Sequence, residues 1–196
     1  MQYVPQTGSL RKPIATWVIV LAFALVICFL IIAAPLALGG GHQSIAYNIY
    51  LPFSYLCHQL PSRSFYFAEH PFAVCSRCTG IYAGFLLGVI LYPLVKSFRS
   101  TVTPPRKFLF LAAVPLAIDF SLYFFGVWNN THFSRFFTGA LLGTVVVFYV
   151  LPGLMELSLR QRTISAVQSP PKLTTGKLLT HTSSAPTDYS APERRI

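Results

Sequence analysis

The stretch from Ile14 to Leu38 contains not one charged side chain, and nothing else in the chain limits its fold so strongly. A helix that crosses a bilayer needs about 20 predominantly apolar residues, and this run exceeds that. Three further apolar runs follow. Cys78 to Leu94 holds several glycines, Phe108 to Val127 is interrupted only by Asp119, and Phe133 to Leu154 carries only Arg135 near its start. Charged residues make up 10% of the 196-residue chain, against about 25% in a soluble domain. The expected fold class is therefore all-α: a polytopic membrane protein of four transmembrane helices.

Arg11 and Lys12 precede the first run, and Ala37-Leu38-Gly39 has the small-residue character of a signal cleavage site. A secretory h-region spans only about 7–15 residues, so the first run reads as an uncleaved anchor. The net charge of +10 would suggest nucleic acid in a soluble protein. Here the basic residues flank apolar runs, so they read as a topology signal and no nucleic-acid partner is expected. Twelve of the 15 lysines and arginines lie in the N-terminal arm, in the loop 96–107 and in the tail, leaving Arg63, Arg77 and Arg135 on the other side. Lysine and arginine accumulate on the cytoplasmic face. Both termini are thus expected to be cytoplasmic, in a multi-pass protein of the cell (inner) membrane.

Five regions follow: a cytoplasmic arm (1–12), a first transmembrane helix (13–38), an external Cys/His segment (39–77), the three-helix remainder of the bundle (78–157) and a disordered cytoplasmic tail (158–196). The external segment is far from polar. Ile45, Tyr47, Ile49, Tyr50, Leu51, Phe53, Tyr55 and Leu56 crowd one stretch, and tyrosine suits the membrane–water boundary. An interfacial helix, broken or bent at Pro52, is expected there. The tail is rich in Ser, Thr and Pro, and buries too little apolar surface to offset its ordering entropy. Gly80, Gly84 and Gly88 recur every four residues, as do Gly139 and Gly143. Small residues at that spacing let membrane helices approach closely, so the second and fourth spans are expected to pack through them.

Two constellations carry chemistry. The first is Cys57-His58 with Cys75-Ser76-Arg77-Cys78, all outside the first helix, whereas Cys28 sits within it. Three readings compete. Thiolates and an imidazole suit zinc or another soft divalent metal, with Cys57, His58, Cys75 and Cys78 as ligands and His70 in reserve for His58. Alternatively, Cys57 is joined to Cys75 or Cys78 as a disulfide staple. In the third, Cys75 and Cys78 form a redox pair, their thiols acidified by a helix N-terminus and Arg77. A c-type haem is excluded, because Thr79 stands where a histidine must follow the second cysteine. The second constellation is Asp119, an ionisable residue at a depth where it must find a partner. Arg135 lies at a similar depth, so Asp119 and Arg135 are expected to form a structural intramembrane pair. The sharper alternative makes them the relay of a small transporter.

Cys57-His58-Gln59, Arg63-Ser64-Phe65 and the run Cys75-Ser76-Arg77-Cys78-Thr79-Gly80-Ile81-Tyr82-Ala83-Gly84 resemble the domain-of-unknown-function 2085 family of small predicted prokaryotic membrane proteins. Asp119, Asn130, Arg135, Thr138 and Gly139 look like the second half of the same family. The resemblance covers roughly residues 45–150. It implies a membrane protein without an assigned activity, and its joining of Cys57-His58 to Cys75 and Cys78 supports one shared site. With no phosphate loop, nucleophile–base pairing or dinucleotide fingerprint, the expectation is a non-enzymatic integral membrane protein with no catalytic residues. Its partners would be the lipid bilayer and a homo-oligomer or larger membrane complex, and its Cys/His cluster would be a metal site or staple.

Overall fold

The computed structural model describes residues 11–98 and 102–168, with side chains described through Ser158. Among them lie five α-helices: α1 (Arg11–Gly39), α2 (Gln43–Ser54), α3 (Ser76–Val95), α4 (Lys107–Phe124) and α5 (His132–Gln168). Between α2 and α3 come a 3-10 turn at Pro61–Arg63 and a hairpin of β1 (Tyr66–Phe67) and β2 (His70–Pro71). The helices α1, α3 and α4, and α5 as far as Ser158, are each long and apolar enough to cross a membrane. The four spans expected from hydropathy are the four long helices. Their large side chains point outward, with Ile19, Phe23 and Phe29 of α1 all about two-thirds exposed, as a lipid-facing surface requires.

Glycine sets where two of these helices stop. Gly41 (φ 78°) and Gly126 (φ 69°) adopt the left-handed conformation. The bonds from Gly41 N to Leu38 O and from His42 N to Ala37 O, like those from Gly126 N to Tyr123 O and from Val127 N to Leu122 O, make each a Schellman cap. Helix α4 therefore ends at Phe124, short of Val127. At the far end of the chain α5 continues to Gln168, so the beginning of the segment expected as a disordered tail is helical. A helix already nucleated gains one hydrogen bond for each residue it adds. The arm before Arg11 and the tail beyond Gln168 lie outside the described residues.

At the centre, α3 and α5 run side by side in the same direction. Gly80 faces Phe136, Gly84 faces Ala140 and Gly88 faces Thr144, while Gly139 and Gly143 face Arg77 and Ile81. A Cβ built on Gly88 would lie 2.7 Å from the Thr144 carbonyl oxygen, and at the other four glycines it would fall closer still to backbone. The glycine faces do meet, so closely that the Thr144 hydroxyl donates across the interface to the Gly84 carbonyl at 3.0 Å. Close backbone approach of this kind is how membrane helices gain packing energy without a hydrophobic drive.

Prolines fasten α1 to the rest. A proline within a helix frees the carbonyl four residues before it. Pro35 frees the Ile31 carbonyl, which accepts from Ala73 N at 3.4 Å. Pro93 of α3 frees the Val89 carbonyl, which accepts from Trp17 Nε1 at 2.8 Å. Helix α2 packs one face against α1: Ala46 and Phe53 are buried, with Ile49 and Tyr50 between them on the same stripe. Tyr47, Ile45 and Tyr55 remain exposed. Pro52 neither breaks nor ends the helix, which continues to Ser54.

Candidate metal centre

The loop after α2 is held by polar ties rather than by regular structure. Gln59, in a left-handed conformation (φ 49°), donates from Nε2 to the carbonyls of Tyr50 and Ala73, both at 2.8 Å. The buried Ser64 donates to Leu60 O at 3.0 Å, and the buried Ser76 donates to Arg63 O at 3.0 Å. Below it the hairpin turns through Ala68 and Glu69, both at positive φ, as a two-residue type I′ turn demands. The Tyr50 hydroxyl donates to the Pro71 carbonyl. These ties return the chain from Cys57 to the start of α3.

Cys57 lands on an apolar cushion of Ile31, Ala34, Phe53, Ala73 and Val74, against Cys75 and Cys78. The sulfurs of Cys57, Cys75 and Cys78 all lie within 4.8 Å of one another. None is bonded to another, and all four cysteines of the chain are free; Cys28 stays apart on α1. The backbone N–H of Cys75 donates to the Cys57 sulfur at 3.3 Å. Cys75 caps α3 at its N-terminus, where the positive end of the helix dipole favours a thiolate. Its thiol is drawn well below the ordinary value by hydrogen bonds with Cys57 and then Cys78, against the opposing effect of burial.

His58 does not join the three sulfurs. It lines the cavity of about 470 Å³ that opens beside them, because the side chains of adjacent residues diverge and Cys57 already faces inward. His70 is paired with Phe67 in the hairpin, and the His132 ring lies 5.8 Å from that of Phe65.

The cavity contains what residue-by-residue reading missed. Arg63, Arg77 and Arg135 all line it, with Tyr123, Phe120 and Phe124 of α4. Arg63 Nη2 donates to the Tyr123 hydroxyl at 2.7 Å, and the guanidinium groups of Arg63 and Arg135 lie 4.7 and 4.9 Å from the Tyr123 ring centre. Arg135 is only 8% exposed. The available signal was that these three arginines were the whole basic complement expected on one side of the bundle.

Asp119 pairs with Arg77, not with Arg135. Arg77 Nη2 reaches Asp119 Oδ2 at 2.6 Å, and the Ser134 hydroxyl donates to Asp119 Oδ1 at 2.9 Å. Asn130 Nδ2 bonds the Asp119 carbonyl at 2.6 Å. The reason is rotational. Ser134 holds the face of α5 that meets Asp119, and the next residue on a helix points about 100° away, which turns Arg135 toward Tyr123.

Comparison with known proteins agrees with this architecture. A family model described as "Predicted membrane protein (DUF2085)" matches residues 57–149, from the first clustered cysteine into α5. An uncharacterized protein of Methanocaldococcus jannaschii is 40% identical over 113 residues, covering 58% of this chain and 72% of its own length. One of Methanothermobacter thermautotrophicus is 39% identical over 108 residues, covering 53% of this chain and 93% of its own. No solved structure matches the chain.

Proposed function

This chain belongs to the DUF2085 family of predicted membrane proteins, and from that premise we propose that it is a metal-binding protein of the cell membrane, holding a soft divalent ion such as zinc on Cys57, Cys75 and Cys78. The observation that carries this reading is the convergence of three unbonded sulfurs within 4.8 Å. Thiolates at about 2.3 Å from a tetrahedral zinc are about 3.8 Å apart, which this spacing accommodates. The Cys75 N–H directed at the Cys57 sulfur is the kind of outer contact that orients a ligand. Three protein ligands leave a fourth position on the cavity side, where His58 lies. A three-ligand set with one open position is the pattern of zinc sites that exchange a ligand rather than closed structural ones.

A redox pair needs only Cys75 and Cys78 and gives no reason for a third sulfur in contact. A relay through Asp119 and Arg135 is disfavoured, because Arg77 and Ser134 occupy both carboxylate oxygens. The charge asymmetry supports cytoplasmic termini, with the metal centre at the outer end of the bundle.

The test is metal analysis of the full-length protein purified in a neutral detergent without added chelator. About one zinc-class ion per chain is expected, lost in Cys57→Ser, Cys75→Ser and Cys78→Ser and retained in Cys28→Ser. A metal-free chain whose clustered thiols react quantitatively with alkylating reagent would overturn it.

A further inference from the structure

We propose that the cavity beside the cysteines is an oxyanion site, in which Arg63, Arg77 and Arg135 receive a phosphate group, either free or carried by a lipid headgroup. The inference goes beyond the metal reading and does not depend on it. Three guanidinium groups line a space of about 470 Å³, and among the described residues the one carboxylate that reaches any of them is Asp119, on Arg77. Even with three thiolates around a divalent ion, the wall stays net positive by one charge. Without the ion and with Cys75 as the one thiolate, the excess is again one. Like charges brought together in a low-dielectric setting are costly unless a counter-charge joins them.

The unpaired donors point the same way. Arg135 is more than nine-tenths buried, yet its Nε has no hydrogen-bond partner, and neither does the Nε of Arg77. A buried donor without a partner is rare and costs about 1–3 kcal/mol. A guanidinium presents its donors in a planar fork suited to phosphate or carboxylate oxygens. Three forks from three segments (the 3-10 turn, α3 and α5) suit a tetrahedral oxyanion better than a planar one. Leu56, Leu60, Phe120 and Phe124 form an apolar part of the same wall, and Leu56 and Phe124 are largely exposed at its rim. An acyl-bearing phosphate could thus keep its chain in the bilayer while its headgroup enters the cavity.

The experiment titrates the full-length protein, stripped of metal by chelator, in neutral detergent with inorganic phosphate against chloride at equal ionic strength, followed by calorimetry. A second arm measures binding to nanodiscs of phosphatidylcholine with and without phosphatidic acid. Saturable binding in the first arm identifies a free oxyanion. Enhancement by phosphatidic acid in the second arm alone identifies a lipid headgroup, and either result supports the site. In the responding arm, Arg135→Gln and Arg63→Gln are each expected to weaken binding about 10- to 100-fold, as loss of a charge-assisted hydrogen bond does. Arg106→Gln, exposed outside the cavity, should bind as the native chain does, and all three variants should retain metal when it is supplied. Absence of a response in both arms overturns the proposal, as does unchanged binding in both cavity variants. Binding abolished by Cys57→Ser but not by either arginine variant also overturns it, since the anion would then depend on the sulfur cluster and not on the guanidinium groups.

Discussion

The Arg77 guanidinium and the Asp119 carboxylate meet at 2.6 Å between α3 and α4, with side chains 22% and 10% exposed. Helix α4 buries only Ala112 of its own residues, so this pair, with the Arg63–Tyr123 and Ser134–Asp119 bonds, is what ties α4 to the cysteine end. The span that hydropathy places so firmly is held in position by its few polar groups.

The pair should behave as a coupled unit. Asp119→Ala leaves a guanidinium partly buried without its counter-ion, with an expected loss on the order of 3 kcal/mol. The double variant Asp119→Leu, Arg77→Met removes both charges and is expected to lie much closer to native stability. Thermal unfolding of the four proteins of this cycle in one detergent measures the coupling. Additive losses would show that the two groups act independently.

The contact between α3 and α5 allows no room for a side chain at Gly84, where an added Cβ would enter the Ala140 carbonyl. Gly84→Ala is therefore expected to cost about 1–3 kcal/mol by overpacking, and Gly84→Leu to separate the helices. Gly153, on α5 with open space around it, is the internal control. Gly153→Ala should be neutral or stabilise by up to about 1 kcal/mol through helix propensity. Equal melting temperatures for Gly84→Ala and Gly153→Ala would mean that the interface is looser than described.

In metal-free protein, Cys75 should remain open to alkylation at a lower pH than an ordinary thiol. The thiolate is the nucleophile, and hydrogen bonds with Cys57 and Cys78 lower the Cys75 pKa from 9.0. The reactive form thus persists as pH falls below 9.0. Cys57→Ser removes the sulfur behind the largest of these contributions, so the pH midpoint for Cys75 should move up toward the ordinary value. Peptide mapping of maleimide labelling across pH checks this, and a midpoint that Cys57→Ser leaves in place would count against the cluster geometry.

The glycine register of α3 and α5 was legible because it depends on one helix period, and Gly80, Gly84 and Gly88 repeat it without help from the rest of the fold. The cluster of Cys57 with Cys75 and Cys78 was partly legible. Cys75 and Cys78 share one helix start, but the return of Cys57 depends on Gln59, Ser64 and Ser76 reaching backbone carbonyls that are distant in sequence. Nothing local marks those bonds, and His58, adjacent to Cys57, looked as good a ligand as any. Depth arithmetic placed Asp119 near the level of an arginine at the head of α5 but could not see Arg77 at the head of α3.

What the sequence determined by itself is the set of spans and the charge asymmetry across them, because transfer of apolar length and of basic side chains between water and lipid is additive along the chain. Those terms need no knowledge of neighbours. What only the tertiary structure decided is the choice of partners: Arg77 rather than Arg135 for Asp119, Trp17 for the carbonyl freed by Pro93, and three arginines from three segments around one cavity. Such choices turn on helix rotation. A turn of about 100° per residue exchanges one side chain for its neighbour at almost no change in hydropathy or depth, so the packed bundle selects among arrangements that are nearly equivalent in the linear chain.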